Sequence, residues 1–409
     1  MTYPIRPVSE SEWPAFSRVL AESFNSTLPP AKNERYKANT EFDRTLAAHD
    51  GDLVVGVTGI HSFSMTVPGG PIPVAGVTAV SVLPSHRRRG VLSSLMRRQL
   101  ADIHERGETV AALYASEAAI YGRFGYGRAA DELSFHIPRH GSAFVRQAPH
   151  DPSLRLRVAV PADSRADYQR LYAGIVERRP GMYARNEHVW DGVLADEEFD
   201  QGGAGALRSM IAEDDGGIRG YALFRVKSAW NDHGLPDGEL RLSELYAADP
   251  AAYAALWRSV LDRDLVTNVR TYGRPVDDPL LQLLAEPRQV RARWADDLWA
   301  RVVDVERALP ARAYSSAVDV VIEVTDEYCP WNARRWRLTA DTSGAECKPV
   351  EQEPDLTLPV AALGAAYLGG GSLVAIGAAG LVREHAPGAL ASLATAMSWP
   401  VKPWAGLVF

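Results

Sequence analysis

Apolar residues at Trp13, Phe16, Val19, Leu20 and Phe24 recur at the spacing of one helical face. The pattern predicts a helix capped by Ser9 or Ser11. With Ser11 as the cap, Pro14 falls in the first turn, where the N–H it lacks would have had no partner. The period then changes. "DLVVGVTGIHSFSMTVPGG" and "PIPVAGVTAVSVLP" are valine-rich runs bounded by the turn signals HDGD and VPGG and by Pro84, and they read as strands. "VLSSLMRRQLADIHERG" returns to helical spacing through Val91, Leu92, Leu95, Met96 and Leu100, and stops at Gly107. "TVAALYAS" is apolar throughout, as a central parallel strand would be. "EAAIYGRFGYG" reads as a short helix broken by glycine, and "DELSFHI" alternates like a strand.

A linker, "IPRHGSAFVRQAPHDP", closes this first α/β segment, which is placed at residues 1–150. The second segment, 151–287, again alternates strands and helices. Its helices are "DSRADYQRLYAGIVERR" and "PAAYAALWRSVLDRD", and its strands are "GIRGYALFRVK" and "ELRLSELYAA". The third, 288–409, opens with the strands "DLWARVVDV" and "VDVVIEVTD". It continues through a polar hairpin region to the helices "VAALGAAYLGG" and "APGALASLATAMSW" and a short apolar tail. "YLGGGSL" lacks the Lys and Ser/Thr of a phosphate loop and reads as a helix stop. The fold class expected is α+β.

The chain has 409 residues and a formal net charge of −7. That length suggests two or three domains. The negative balance argues against a general binder of nucleic acid and favours neutral or cationic partners. The first residues, "MTYPIRPVSESEW", hold no apolar signal core, and no apolar run approaches the roughly 20 residues that span a bilayer, so no membrane association is expected. Two cysteines, Cys329 and Cys347, fit neither a zinc knuckle nor a redox pair and read as reduced thiols of a cytoplasmic protein. The ten histidines show no metal-ligand spacing, and no metal is expected.

Against this acidic background stands "LPSHRRRGVL", Leu83 to Leu92. The run lies between a buried-looking strand and an amphipathic helix, so its amides sit at a helix N-terminus, where free N–H groups and the positive dipole end favour phosphate. Gly90 lets backbone approach an anion with no Cβ in the way, and Arg87 and Arg88 can add charge. The plainer reading is a solvated basic turn. The order of the flanks decides between them. Valine-rich strand, proline, arginine cluster, glycine, amphipathic helix, apolar strand and "YGRFGYG" together resemble the acyl-CoA site of the GNAT N-acetyltransferases.

The resemblance extends along nearly the whole chain. "VTAVSVLPSHRRRGVL", "SEAAIYGRFGYG", a degenerate second GNAT-like half and a sterol-carrier-like third domain ending in phenylalanine are together similar to the Eis (enhanced intracellular survival) family. It implies tandem GNAT-like α/β domains followed by a sterol-carrier-like α+β domain, acetyl-CoA as co-substrate, a small amine-bearing acceptor such as an aminoglycoside, and a homo-hexamer. It assigns the cofactor arm to a splayed strand edge at Val80, Ser81 and Val82. The pyrophosphate turn and helix start fall at Arg87, Arg88, Arg89, Gly90, Val91, Leu92 and Ser93, with Ser116 and Glu117 closing the site. Leu92 stands where many GNAT proteins carry glycine or alanine.

Acetyl transfer needs an amine freed of its proton and a thiolate that recovers one. Tyr121 and Tyr126 are the candidate acids. The GNAT pattern, in which the tyrosine five residues before the closing aromatic faces the sulfur, points to Tyr121. No Asp or Glu of the first segment announces itself as base. The family places its C-terminal carboxylate in the active site, which would make Phe409 the base here. A frayed terminus is the plain alternative, and Arg291 or Arg293 could instead pair with that carboxylate. By resemblance the acceptor pocket draws on Trp13, Phe24, Ser26, Tyr36 and Arg123. Trp13 and Phe24 equally suit the core of an amphipathic helix. Ser26 and Val408 stand where family members carry acidic groups. The competing function is a catalytically inactive protein that binds acyl-CoA or an apolar ligand.

Overall fold

The computed structural model describes residues 3–409. Helix α1, Trp13–Phe24, buries Trp13, Phe16, Val19 and Leu20, the face the spacing predicts. The earlier serine precedes it: a 3-10 turn at Glu10–Glu12 leads into the helix, and the Glu12 carboxylate accepts the Ser9 N–H at 3.0 Å. Helix α2, Pro30–Ala38, has no buried residue. Strands β1 (Ile5–Arg6), β2 (Leu46–Asp50), β3 (Leu53–Val67) and β4 (Gly70–Val82) follow one another in an antiparallel sheet. The VPGG signal is the β3–β4 turn. Helix α3, Val91–Glu105, carries the chain back to β5, Val110–Tyr114, and then to the short helix α4, Ala118–Tyr121, and strand β6, Gly127–Arg128.

β4 and β5 pair in parallel at Ala75↔Ala111 and Gly76↔Ala112, and then part. The strand on the other side of β5 comes from far along the chain. Leu298–Val302, here β7, pairs antiparallel with β5 from Leu298↔Tyr114 to Val302↔Val110, and also with β6. The sheet order is therefore β1-β2-β3-β4-β5-β7-β6. The apolar strand expected to be central is central, but it is parallel on one side only. "DLWARVVDV" completes this N-terminal sheet instead of opening a sheet with the strands that follow it.

The chain divides into two compact units, one of residues 1–130, 180–184 and 296–409, the other of 131–179 and 185–295. In the first unit a five-stranded sheet, whose middle strands are Val318–Thr325 and Arg335–Asp341, carries the helices Val360–Tyr367, Leu373–Ala378 and Ala389–Met397. One core joins this C-terminal layer to the N-terminal sheet, with Val74, Ala112 and Ala300 in the same cluster as Ile322, Leu338 and Leu363. Cys329 and Cys347 are free and buried, and burial pushes both thiols up to about 12.

The second unit has a six-stranded sheet in which Gly238–Ala247 pairs in parallel with Val266–Thr271. Its helices Arg165–Val176 and Pro250–Leu261 match the sequence pattern. Where the first unit has an arginine turn, this one runs from strand to helix through Asp249. That carboxylate accepts the N–H groups of Ala251 and Ala252, and Pro250 has none to offer. The helix N-terminus is closed to an anion by its own cap. No helix among the described residues is long and apolar enough to cross a membrane.

Candidate active site

Three elements of the first unit converge where β4 leaves β5. The first is the end of β4. Between the pairs Gly59↔Thr78 and Val57↔Ser81, β3 has one residue and β4 has two. The extra residue is a bulge at Ala79, whose φ of +56° is unusual for a side chain with a Cβ. Beyond it Val80, Ser81 and Val82 line a cavity of about 500 Å³. Ser81 is 4% exposed, and its hydroxyl has no partner among the described residues. Periodicity gives no sign of this bulge, because alanine is not a residue that favours positive φ.

The second element is the arginine turn. His86 is buried, with Nε2 3.1 Å from Asp50 Oδ2 and Nδ1 2.9 Å from Ser85 Oγ, and it anchors the turn to the end of β2. Arg88 takes φ +61° and Gly90 φ +81°, and Gly90 is the N-cap of α3. A Cβ built at Gly90 would meet nothing within 4 Å. Arg87, Arg88, Gly90, Val91, Leu92 and Ser93 all line the cavity, as does His86, which the sequence reading did not include. Arg89 is exposed and does not line it. The result is an open N-terminus of a 15-residue helix with two guanidinium side chains beside it.

The third element follows β5. Ser116, Glu117, Ile120, Tyr121 and Arg123 close the opposite wall. Tyr121 is 5% exposed, and burial, with the nearby Glu117 charge, pushes its hydroxyl up to about 12. Tyr126 meets Tyr121 edge to face at 6.0 Å but is absent from the cavity wall. Its hydroxyl is buried without a partner among the described residues, and burial drives it far above the ordinary tyrosine range. The turn carrying both tyrosines is held from behind by Arg301 of β7. That side chain donates to Phe124 O at 3.1 Å and pairs with Asp326 at 2.6 Å, both groups being buried.

The chain end lies on the other face of the sheet. Gly56 of β3 faces α3, since a Cβ there would meet Val91 and Leu95. Five residues on, His61 points the other way, and so does its pairing partner Gly76, where a Cβ would come within 3.2 Å of the Phe409 ring. Phe409 is packed among Phe63, Tyr114 and Tyr183, with ring centroids 4.7, 5.2 and 5.5 Å away. None of these three rings stands out in the sequence as a neighbour of the terminus.

The residues expected around the acceptor are dispersed. Phe24, half exposed, and Arg123 stand at the cavity. Tyr36 is half-buried on the Phe409 face, with its hydroxyl 3.4 Å from that of Thr78, beside the bulge. Trp13 is 3% exposed, stacked on Phe16 at 5.2 Å in the core, and does not line the cavity. Ser26 is exposed outside it.

A family model described as an acetyltransferase (GNAT) domain matches residues 4–129, a second model with that description matches 181–302, and a sterol carrier protein domain matches 305–406. An uncharacterized N-acetyltransferase of Streptomyces avermitilis is 46% identical over 409 residues, covering 99% of each chain. The N-acetyltransferase Eis of Mycobacterium tuberculosis is 32% identical over 399 residues, covering 94% of each. The crystal structure of Eis1 from Mycobacterium abscessus superposes with a TM-score of 0.85 at 33% identity, over 99% of this chain and 100% of that one.

Proposed function

Because this chain belongs to the Eis family of GNAT N-acetyltransferases and so uses acetyl-CoA as its co-substrate, we propose that it acetylates a small amine by direct transfer through the gap between β4 and β5. The observation that carries this is the arrangement of the gap. A cavity with an open helix N-terminus and a tyrosine lies on one side, and the caged chain terminus lies over Gly76 on the other.

In this reading the pyrophosphate rests on the α3 amides at Gly90, with Arg87 and Arg88 beside it, and the arm runs along Val80 to Val82. The open space at Gly90 and the unpartnered Ser81 hydroxyl fit such a ligand. The acceptor reaches the thioester from the Phe409 face. The Phe409 carboxylate takes a proton from the ammonium, directly or through one water. The amine lone pair attacks the acetyl carbon, the C–S bond breaks, and Tyr121 gives its proton to the departing thiolate. The amide nitrogen releases its second proton, which restores the tyrosine by way of solvent. The products are the N-acetyl amine and CoA, with one proton released for each ammonium consumed. At about 12, Tyr121 holds its proton at every working pH.

On the Phe409 face from which the acceptor arrives, the Tyr36 ring suits a cationic amine of the aminoglycoside, polyamine or lysine type. The family's homo-hexamer and a cytoplasmic setting are part of the same proposal, and light scattering reads the former. The test of the reaction is turnover of acetyl-CoA with a panel of amines, followed by release of CoA thiol. Tyr121→Phe keeps the ring and removes the proton, so kcat should fall on the order of 10²-fold with cofactor affinity unchanged. A larger loss in Tyr126→Phe would reverse the assignment.

A further inference from the structure

The tail that brings Phe409 to the sheet is tied down at one carbonyl. Leu407 O accepts two hydroxyls, that of Tyr114 at the end of β5 at 2.9 Å and that of Tyr183 at 2.7 Å. Upstream, Ala405 N donates to the buried Asp297 carboxylate at 2.9 Å, and Trp404 N donates to Pro180 O at 2.9 Å.

Tyr183 reaches this place on a short strap, residues 180–184, that leaves and re-enters the other unit's sequence. The strap lies along β3. Gly181 N donates to Thr66 O at 2.8 Å, Thr66 N to Met182 O at 2.7 Å, and Ala184 N to Ser64 O at 2.9 Å. Gly181, at φ +93°, lies so close to the tail that a Cβ would meet the Trp404 backbone at 3.1 Å. The strap is thus fixed to the sheet on one side and to the tail on the other. Its one aromatic side chain supplies both a ring against Phe409 and a hydroxyl for Leu407.

We propose that Tyr114 and Tyr183 are positioning residues that clamp the Leu407 carbonyl and thereby hold the terminal carboxylate at the reacting amine. The inference rests on the reading of Phe409 as base. Leu407 is two residues from the end, so a clamp there leaves only Val408 and Phe409 to place the carboxylate, a reach of about 7 Å. The Phe63, Tyr114 and Tyr183 rings around Phe409 restrict that remainder. Val408, 68% exposed, adds no anchor of its own. Both hydroxyls direct their protons to Leu407 O, which suits a role in holding the tail more than one in proton transfer. The segment between two helices of the degenerate second half would then serve the first half's reaction through Tyr183.

The test is the full-length chain carrying Tyr114→Phe and Tyr183→Phe, singly and together, tagged only at the N-terminus. Each change removes one oxygen and keeps the ring. With both changes kcat should fall about tenfold or more, the KM for acetyl-CoA should stay within about twofold, and carboxypeptidase should remove Phe409 several-fold faster. Each single variant should show a smaller form of the same split, which keeps the test available should the double variant fold poorly. Unchanged kcat, or a lower kcat with unchanged carboxypeptidase release, would overturn the clamp. A chain extended beyond Phe409 separates the two ideas. If the extended chain is inactive and the double tyrosine variant fully active, only the clamp falls. If the extended chain is fully active, the terminal base itself falls, while the carboxypeptidase rate still reports whether the tyrosines hold the tail.

Discussion

Replacing Gly90 by alanine separates the cost to the fold from the cost to the ligand. Gly90 sits at φ +81° and ψ −1°, where a Cβ carries a backbone penalty of about 1–2 kcal/mol. Beyond Gly90 and its two chain neighbours, no atom of the described residues lies within 4 Å of the new methyl, so no clash is added. For a unit of this size such a penalty lowers the melting temperature by about 2–8 °C. The ligand side is different. The methyl would project into the space from which a phosphate approaches the α3 amides. One charge-assisted hydrogen bond lost there is worth about 1.5–3 kcal/mol, or roughly 10- to 100-fold in affinity. Calorimetry with CoA and scanning calorimetry of the free protein measure the two terms. Acetyl-pantetheine, which has the thioester but no pyrophosphate, should be turned over equally well by both proteins. CoA affinity within about twofold of wild type, or an equal loss with acetyl-pantetheine, would show that the anion does not sit at this turn.

Two further outcomes follow from buried charge. Asp326→Ala leaves Arg301 without its 2.6 Å partner and frees the N–H groups of Tyr328 and Cys329, so denaturant unfolding should show a loss of about 3–5 kcal/mol; a loss under about 1 kcal/mol would contradict the role given to this pair. Burial holds His61 below its ordinary value of 6.5, with Arg44 acting the same way and Glu41 opposing. The unfolded chain therefore binds this proton first, and the stability present above pH 6.5 is lost as the pH falls through the folded value. His61→Gln should flatten that part of the stability profile, and an unaltered profile would refute the assignment.

Much of the fold is legible in the sequence where the signal is local. The α1 face, the VPGG hairpin and the strand–arginine–glycine–helix order all lie within short windows, and all appear in the structure as elements at those positions. What is not legible is non-local. Nothing in "DLWARVVDV" says that Leu298–Val302 will lie against β5, because strand period is the same whichever partner is chosen. The same holds for residues 180–184, a strap with too few residues to show any period. Helical spacing cannot distinguish a core aromatic from a pocket wall, and Trp13 illustrates this: its position on the apolar face suits both, and packing against Phe16 puts it in the core. The pair Tyr121 and Tyr126 shows the converse. Both are buried, and Tyr121 alone lines the cavity while the Tyr126 hydroxyl is sealed in the core.

The most direct measurement compares the chain ending at Phe409 with the same chain extended by a few residues, each carrying an N-terminal tag. Extension turns the Phe409 carboxylate into an amide, which cannot accept the amine proton, and it leaves the core clusters untouched. Deleting Phe409 is a companion change that withdraws the carboxylate by about 3.5 Å along the chain, beyond the roughly 3 Å over which a proton is passed. Release of CoA thiol from acetyl-CoA and an amine acceptor should fall on the order of 10²-fold or more in both altered chains, with CoA affinity preserved in both and the melting temperature preserved in the extended chain, which keeps the Phe409 ring in its aromatic cage. Equal thiol release from the native and extended chains would show that the base lies elsewhere.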